Sequence, residues 1–186
     1  MAIKTFTTGE VLTAADTNTY LANSGLVFVK SQTIGSAVSS VTVSDAFSST
    51  YDNYKIILSG GVGSTTGALL NMTLGSTATG YYWGGYAAIW SGTPALQILS
   101  GSNTASWSRV AIANTNSING EIELFCPNLA KRTIYNARYI QNQTDGNAVG
   151  SGGYVDNATQ YTAFTFTPAS GTITGGTIAV YGYRLG

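Results

Sequence analysis

Two carboxylates two residues apart, Glu121 and Glu123, are the pair in this chain best spaced for acid–base chemistry. Residues i and i+2 of a strand point to one face, and two carboxylates on one face are the minimum equipment for cleaving a glycosidic bond. The same pair alternates with Ile122, Leu124 and Cys126. That alternation favours a solvated outer face opposite a core over a catalytic pair. Asp145 and Asn147 flank Gly146, which is hairpin-turn chemistry and lacks the spaced oxygen ligands of a calcium loop. The run from Gly60 to Gly67 has neither the lysine nor the following helix of a phosphate-binding loop. With no histidine and a single cysteine, Cys126, a zinc site, histidine-dependent catalysis and an internal disulfide are all unexpected. Cys126 is expected to pack as a small hydrophobe. The reading is of a non-enzyme with no catalytic residue, cofactor or metal.

Composition narrows the partners. Charged residues make up 9% of the 186, far below the roughly 25% usual in soluble domains, while hydrophobic content is 44%, which excludes a disordered chain. The formal charge is zero and the eight basic residues are scattered, so no concentrated basic face is available for nucleic acid. Twelve Tyr and three Trp suggest a surface that hydrogen-bonds and stacks without charge, suited to sugars or to protein partners. The densest such stretch, Gly80 to Gly92, interleaves Tyr81, Tyr82, Trp83, Tyr86 and Trp90 with glycines. It reads either as a bent strand whose rings fill the core or a subunit contact, or as a glycan-stacking platform. No apolar run approaches the ~18 residues of a membrane span, and the start lacks the apolar region of a signal peptide, so synthesis in a cytoplasm is expected.

The elements that must carry these residues are mostly strands. Short β-branched and aromatic runs are predicted as strands at Leu26 to Ser31, Ser40 to Val43, Tyr54 to Ser59, Ala68 to Leu74, Trp107 to Ala113, Gly120 to Cys126, Arg132 to Gln141, around Tyr154 and Val155, Tyr161 to Thr167, and Ile178 to Arg184. Turn residues separate them, Gly60 to Gly67 reads as a flexible loop, and Pro94 closes the aromatic stretch. Many short strands without a fixed repeat predict an all-β, antiparallel, jelly-roll-like β-sandwich over residues 26–186.

Residues 1–25 read differently. Thr13 is a good N-cap, Asp16 completes a variant of the capping box, and Asn23 and Gly25 suit a helix end. Roughly ten helical residues, about 15 Å long, are implied. A helix that short is marginal alone, so its few apolar positions, with Phe6 before it and Leu12, Ala15, Tyr20 and Leu21 along it, must dock on something. They either plug one end of the β domain or serve attachment and oligomerisation.

The segment from Phe6 through Gly9 to Leu12-Thr13-Ala14-Ala15-Asp16-Thr17-Asn18 resembles the N-terminal pattern of tail-fibre-like and other structural proteins of tailed bacteriophages. The stretch from Gly171 to Arg184 is similar to the closing strand of such proteins. The resemblance implies a non-enzymatic virion protein, a short homotrimeric fibre or knob joined to other phage proteins through its N-terminal segment, with host-surface polysaccharide as a further partner. A capsid-decorating or head or tail assembly component is the alternative it implies. The chain has no repetitive shaft of the sort that long fibres carry.

Overall fold

The computed structural model describes residues 5–17, 25–90, 92–142 and 146–184. Fourteen strands are found among them: β1 (Leu26–Thr33), β2 (Val41–Val43), β3 (Asn53–Ser59), β4 (Val62–Gly63), β5 (Ala68–Leu74), β6 (Tyr81–Ile89), β7 (Ala95–Thr104), β8 (Trp107–Ala113), β9 (Ile118–Phe125), β10 (Ile134–Gln141), β11 (Asn147–Val155), β12 (Phe164–Pro168), β13 (Ile173–Thr174) and β14 (Thr177–Tyr183). One short helix, α1 (Ala14–Asp16), precedes them.

Strand order defines the fold. One layer runs β1-β14-β3-β9 and continues through β10-β11-β6-β7, and the other runs β2-β12-β5-β8. Every pairing is antiparallel. If β1, β2, β3, β5, β8, β9, β12 and β14 are counted as the first to eighth strands of a sandwich, the layers read 1-8-3-6 and 2-7-4-5. This is the interlocked double Greek key of a jelly roll. The layers join at the β8–β9 corner, where only Ile112 with Asn119 and Ala113 with Ile118 are paired. The remaining four long strands are two hairpin excursions, β6–β7 and β10–β11, which widen one layer to eight strands.

Alternation explains which residues line the core. In β5, Ala68, Leu70, Met72 and Leu74 are buried while Leu69, Asn71 and Thr73 are only partly so. In β3 and β9, Tyr54, Ile56, Leu58, Ile118, Ile122 and Leu124 point inward to meet them. Phe47 bridges the layers, with its ring 4.9 Å from that of Tyr54 on β3 and 5.5 Å from that of Phe164 on β12. Each fully buried aromatic of this kind contributes about 1.5–3 kcal/mol through removal of its surface from water. A second, smaller cluster of Ala87, Ile112, Tyr139 and Val149 lies under the added hairpins. It folds their inner face back over β8, helped by the Ser151 hydroxyl, which donates to the Arg109 carbonyl at 2.9 Å.

Several details differ from the sequence expectation. The segment from Gly60 to Gly67 is not a free loop. Val62 and Gly63 pair with Thr174 and Ile173, and the Gly63 amide donates to the Asn114 carbonyl at 2.7 Å. Glycine is needed there because a Cβ on Gly63 would sit 2.6 Å from the Ala113 carbonyl oxygen. The aromatic strand β6 ends at Ile89, ahead of Pro94, but directly after Pro94 comes an unexpected strand, β7, an edge strand that pairs with β6. Cys126 is half-buried just past β9, with a positive φ of 59°, and its amide donates to the Asp52 carbonyl.

At the N-terminus the capping box forms as expected. The Asp16 amide donates to the Thr13 hydroxyl at 3.1 Å, and the Thr13 amide donates to the Asp16 carboxylate at 3.2 Å. From residue 18 onward the expected helix, including Tyr20 and Leu21, lies outside the described residues. So does Asp145 of the expected hairpin turn.

Candidate functional site

The broad layer has one face on the core and the other turned outward. Register fixes what stands side by side on that outer face. Across β9, β10, β11 and β6, Glu121 is level with Arg138, Gly150 and Tyr86, and Glu123 is level with Asn136, Gly152 and Gly84. Three glycines therefore meet on two adjacent strands, and the sheet surface sinks there, with Gly84 left open and the Tyr86 and Asn136 side chains leaning over the other two. The result is a trough of about 440 Å³ lined by Tyr86, Glu121, Glu123, Asn136 and Arg138 above those glycines.

The glycines have different reasons to be small. The Tyr86 ring lies over Gly150, where a Cβ would fall 2.8 Å from the ring, and the Asn136 amide lies over Gly152. Gly84 has no such neighbour, the nearest atom to a Cβ there being the Leu99 carbonyl oxygen at 3.9 Å. Gly153, on the inner face, is held by backbone instead, since its Cβ would lie 2.0 Å from the Tyr82 carbonyl oxygen.

Charge in the trough is balanced. Glu121 Oε1 accepts from Arg138 Nη2 at 3.1 Å and from Lys55 Nζ on the neighbouring β3. These cross-strand hydrogen bonds, from Lys55 first and Arg138 second, hold the Glu121 carboxyl below the usual carboxylate range. Glu123 Oε1 accepts from the Tyr183 hydroxyl at 2.5 Å. Burial, and then that bond to a carboxylate, push the Tyr183 phenol up to about 12. A carboxylate kept ionised by two cations is a poor proton donor, so Glu121 is not set up as the acid of a glycosidase pair.

The ion pairs of Glu121 make stability depend on pH. Because its folded pKa lies below the unfolded value of about 4.3, its contribution is present above that value and is lost as pH falls through the folded pKa. The Glu121 side chain is partly exposed, at 31%, and its ion pairs stand at the sheet surface, so screening keeps the contribution below about 1 kcal/mol. Melting temperature measured from pH 6 to pH 3 should fall slightly less steeply for Glu121→Gln than for the parent, and the difference should vanish in 1 M salt.

The five aromatic residues of the glycine-rich stretch do not form one platform. Strand alternation sends Tyr81 and Trp83 inward and Tyr82, Tyr86 and Trp90 outward. Tyr81 is fully buried, edge-on to Trp107 at 5.2 Å, and its hydroxyl accepts from the Leu74 amide and donates to the Thr77 carbonyl. Burial pushes its phenol up to about 12. Trp83 packs over Gly101. Tyr82 stacks on Tyr154 at 5.1 Å, with the Arg132 guanidinium 5.2 Å above the Tyr154 ring. Tyr86 and Trp90 are half-exposed, at 51% and 52%. Beyond Tyr86 the outer face turns aliphatic, with Leu96 and Ile98 of β7 exposed at 65% and 76% and Ile140 of β10 level with Leu96 across Ala148 and Ala88.

Of the N-terminal positions expected to dock, Phe6, Leu12 and Ala15 are exposed, as is Val11. Not one described residue from 5 to 17 is buried. Sequence reasoning placed Glu121 and Glu123 on one outer face but did not pair them with Lys55, Arg138 and Tyr183, nor find the glycine floor. The usable signal was Gly150 and Gly152 at strand spacing, matching Tyr82, Gly84 and Tyr86 at the same spacing.

Among the described residues, no three Cys, Asp or Glu side chains gather closely enough to hold a metal ion. Nor is any helix there long and apolar enough to cross a membrane. The strand order defines the chain as an all-β jelly-roll sandwich with one extended layer. No protein-family model matches it, and no curated protein is detectably similar to it.

Proposed function

We propose that this protein is a non-enzymatic structural component of a tailed-bacteriophage virion: a short appendage, homotrimeric, attached through its N-terminal segment, whose jelly-roll domain projects outward and contacts host-surface glycans. The observation that carries the reading is the contrast between the two parts of the chain. The β domain closes a continuous core from its own strands, while the N-terminal segment keeps a capped helix start yet leaves Phe6, Val11 and Leu12 exposed. A segment of that kind has apolar surface to place on another chain, and it coincides with the stretch that resembles phage attachment segments.

The aliphatic strip of Leu96, Ile98 and Ile140 favours a second reading, in which the outer face is covered by protein and the molecule decorates a capsid or joins a head or tail assembly with no receptor role. Electron microscopy of particles labelled with gold-conjugated antibody separates the two. Label on distal appendages is the expected result. Label confined to the capsid surface favours the second reading, and particles free of label contradict both.

A further inference from the structure

The geometry points to the outer-face trough as a binding site for a neutral carbohydrate, a pyranose ring seated on Gly84 beside Tyr86 and Asn136. This rests on the glycan-contacting part of the function proposed above and gives it a location and a class of sugar. A pyranose presents two chemistries at once, an apolar C–H face and a rim of hydroxyls that both donate and accept. The trough has the counterparts of both. The Tyr86 ring is half-exposed beside the glycine floor and offers a π-face to C–H groups. Around it stand groups with hydrogen-bonding capacity to spare. Both ionic bonds to Glu121 fall on Oε1, which leaves Oε2 for a hydroxyl donor, and Asn136 carries both a donor and an acceptor. The 440 Å³ volume lies within the roughly 300–1,000 Å³ typical of small-molecule sites.

Charge selects the class. Lys55 and Arg138 are matched by Glu121 and Glu123, two of each sign, so neither an anion nor a cation gains a net field. A sialic acid, uronic acid or phosphate would face two carboxylates, and a polyamine would face the exposed Arg138 guanidinium. A neutral hexose or N-acetylhexosamine meets neither penalty.

The test uses the whole chain on a printed panel of neutral hexose and N-acetylhexosamine oligosaccharides beside their sialylated and uronic-acid counterparts, followed by titration with the best neutral member. Gly84→Val is the informative variant. Its side chain enters the trough where the nearest atom to the Cβ is 3.9 Å away, and valine suits a strand better than glycine. Neutral members should bind the parent, and Gly84→Val should weaken that binding at least tenfold with no fall in melting temperature. Tyr86→Ala should weaken it similarly, and it carries the comparison alone if Gly84→Val fails to fold. The inference is overturned if no neutral member binds, if only acidic members bind, or if the folded variants bind as the parent does. Failure here is distinct from failure of the attachment reading, which the particle labelling decides without reference to sugar.

Discussion

Replacing Trp107 by alanine should cost about 3–5 kcal/mol of unfolding free energy, the range for removing a large aromatic from a packed core. Trp107 belongs to β8 in the narrow layer, yet its indole reaches across the sandwich. It packs edge-on to Tyr81 at 5.2 Å, lies 4.5 Å from the Tyr135 ring, and donates from Nε1 to the Tyr154 carbonyl at 3.1 Å. Its truncation therefore opens a cavity where the jelly roll meets the added hairpins, and it strips the Tyr154 carbonyl of a donor. For a domain of this size each kcal/mol moves the melting temperature by roughly 2–4 °C, so a drop of about 10 °C is expected. Trp107→Phe separates the two contributions. It keeps one ring in the cavity but loses the indole N–H and part of the ring volume, so it should lose about 1–3 kcal/mol, less than the alanine variant. Urea unfolding of both variants measures the difference. A loss below about 1 kcal/mol for the alanine variant would mean that the layers are held together elsewhere.

The fold was legible wherever one face of a strand met the core and the other met water. β5 is the clearest case, since Leu70, Met72 and Leu74 alternate with Asn71 and Thr73 and the expected bounds coincide with the observed Ala68–Leu74. β7 was not legible. It is an edge strand with Leu96 and Ile98 on one face and Leu99 on the other, followed by Ser100, Gly101, Ser102 and Asn103, so its pattern has no period of two to read. β4 and β13 have two residues each, below the length at which any pattern exists, and only their mutual pairing defines them.

The site was legible one strand at a time and no further. The side-by-side placement of Glu121 and Glu123 follows from alternation alone. Their partners Lys55, Arg138 and Tyr183 come from three other strands, and register is a tertiary quantity that a single sequence leaves open. The same limit explains the grouping of Tyr81, Tyr82, Trp83, Tyr86 and Trp90 as one contact surface. Proximity along the chain suggested a cluster, whereas a strand divides neighbours between its two faces, and Tyr81 went to the core.

The other large effect concerns the N-terminal segment. Deleting residues 1–24 removes Phe6, Val11 and Leu12, each exposed in the isolated chain, and removes no buried residue among those described. The strands begin at Leu26, and the core is drawn from Ile34 onward. The β domain should therefore keep its melting temperature to within a few degrees, because none of the segment's described residues is buried and surface changes away from packed features alter stability by only about 0.5 kcal/mol. Attachment should behave in the opposite way. If the segment places its apolar residues on neighbouring copies and on the particle, its loss removes the whole apolar contact and not an increment of it.

Light scattering on the two purified chains reads this directly. The proposed function predicts a trimer mass for the full chain and a monomer mass for the folded, truncated chain. A truncated chain that unfolds would mean that the segment plugs its own domain, and a full chain that is already monomeric would contradict the trimeric appendage.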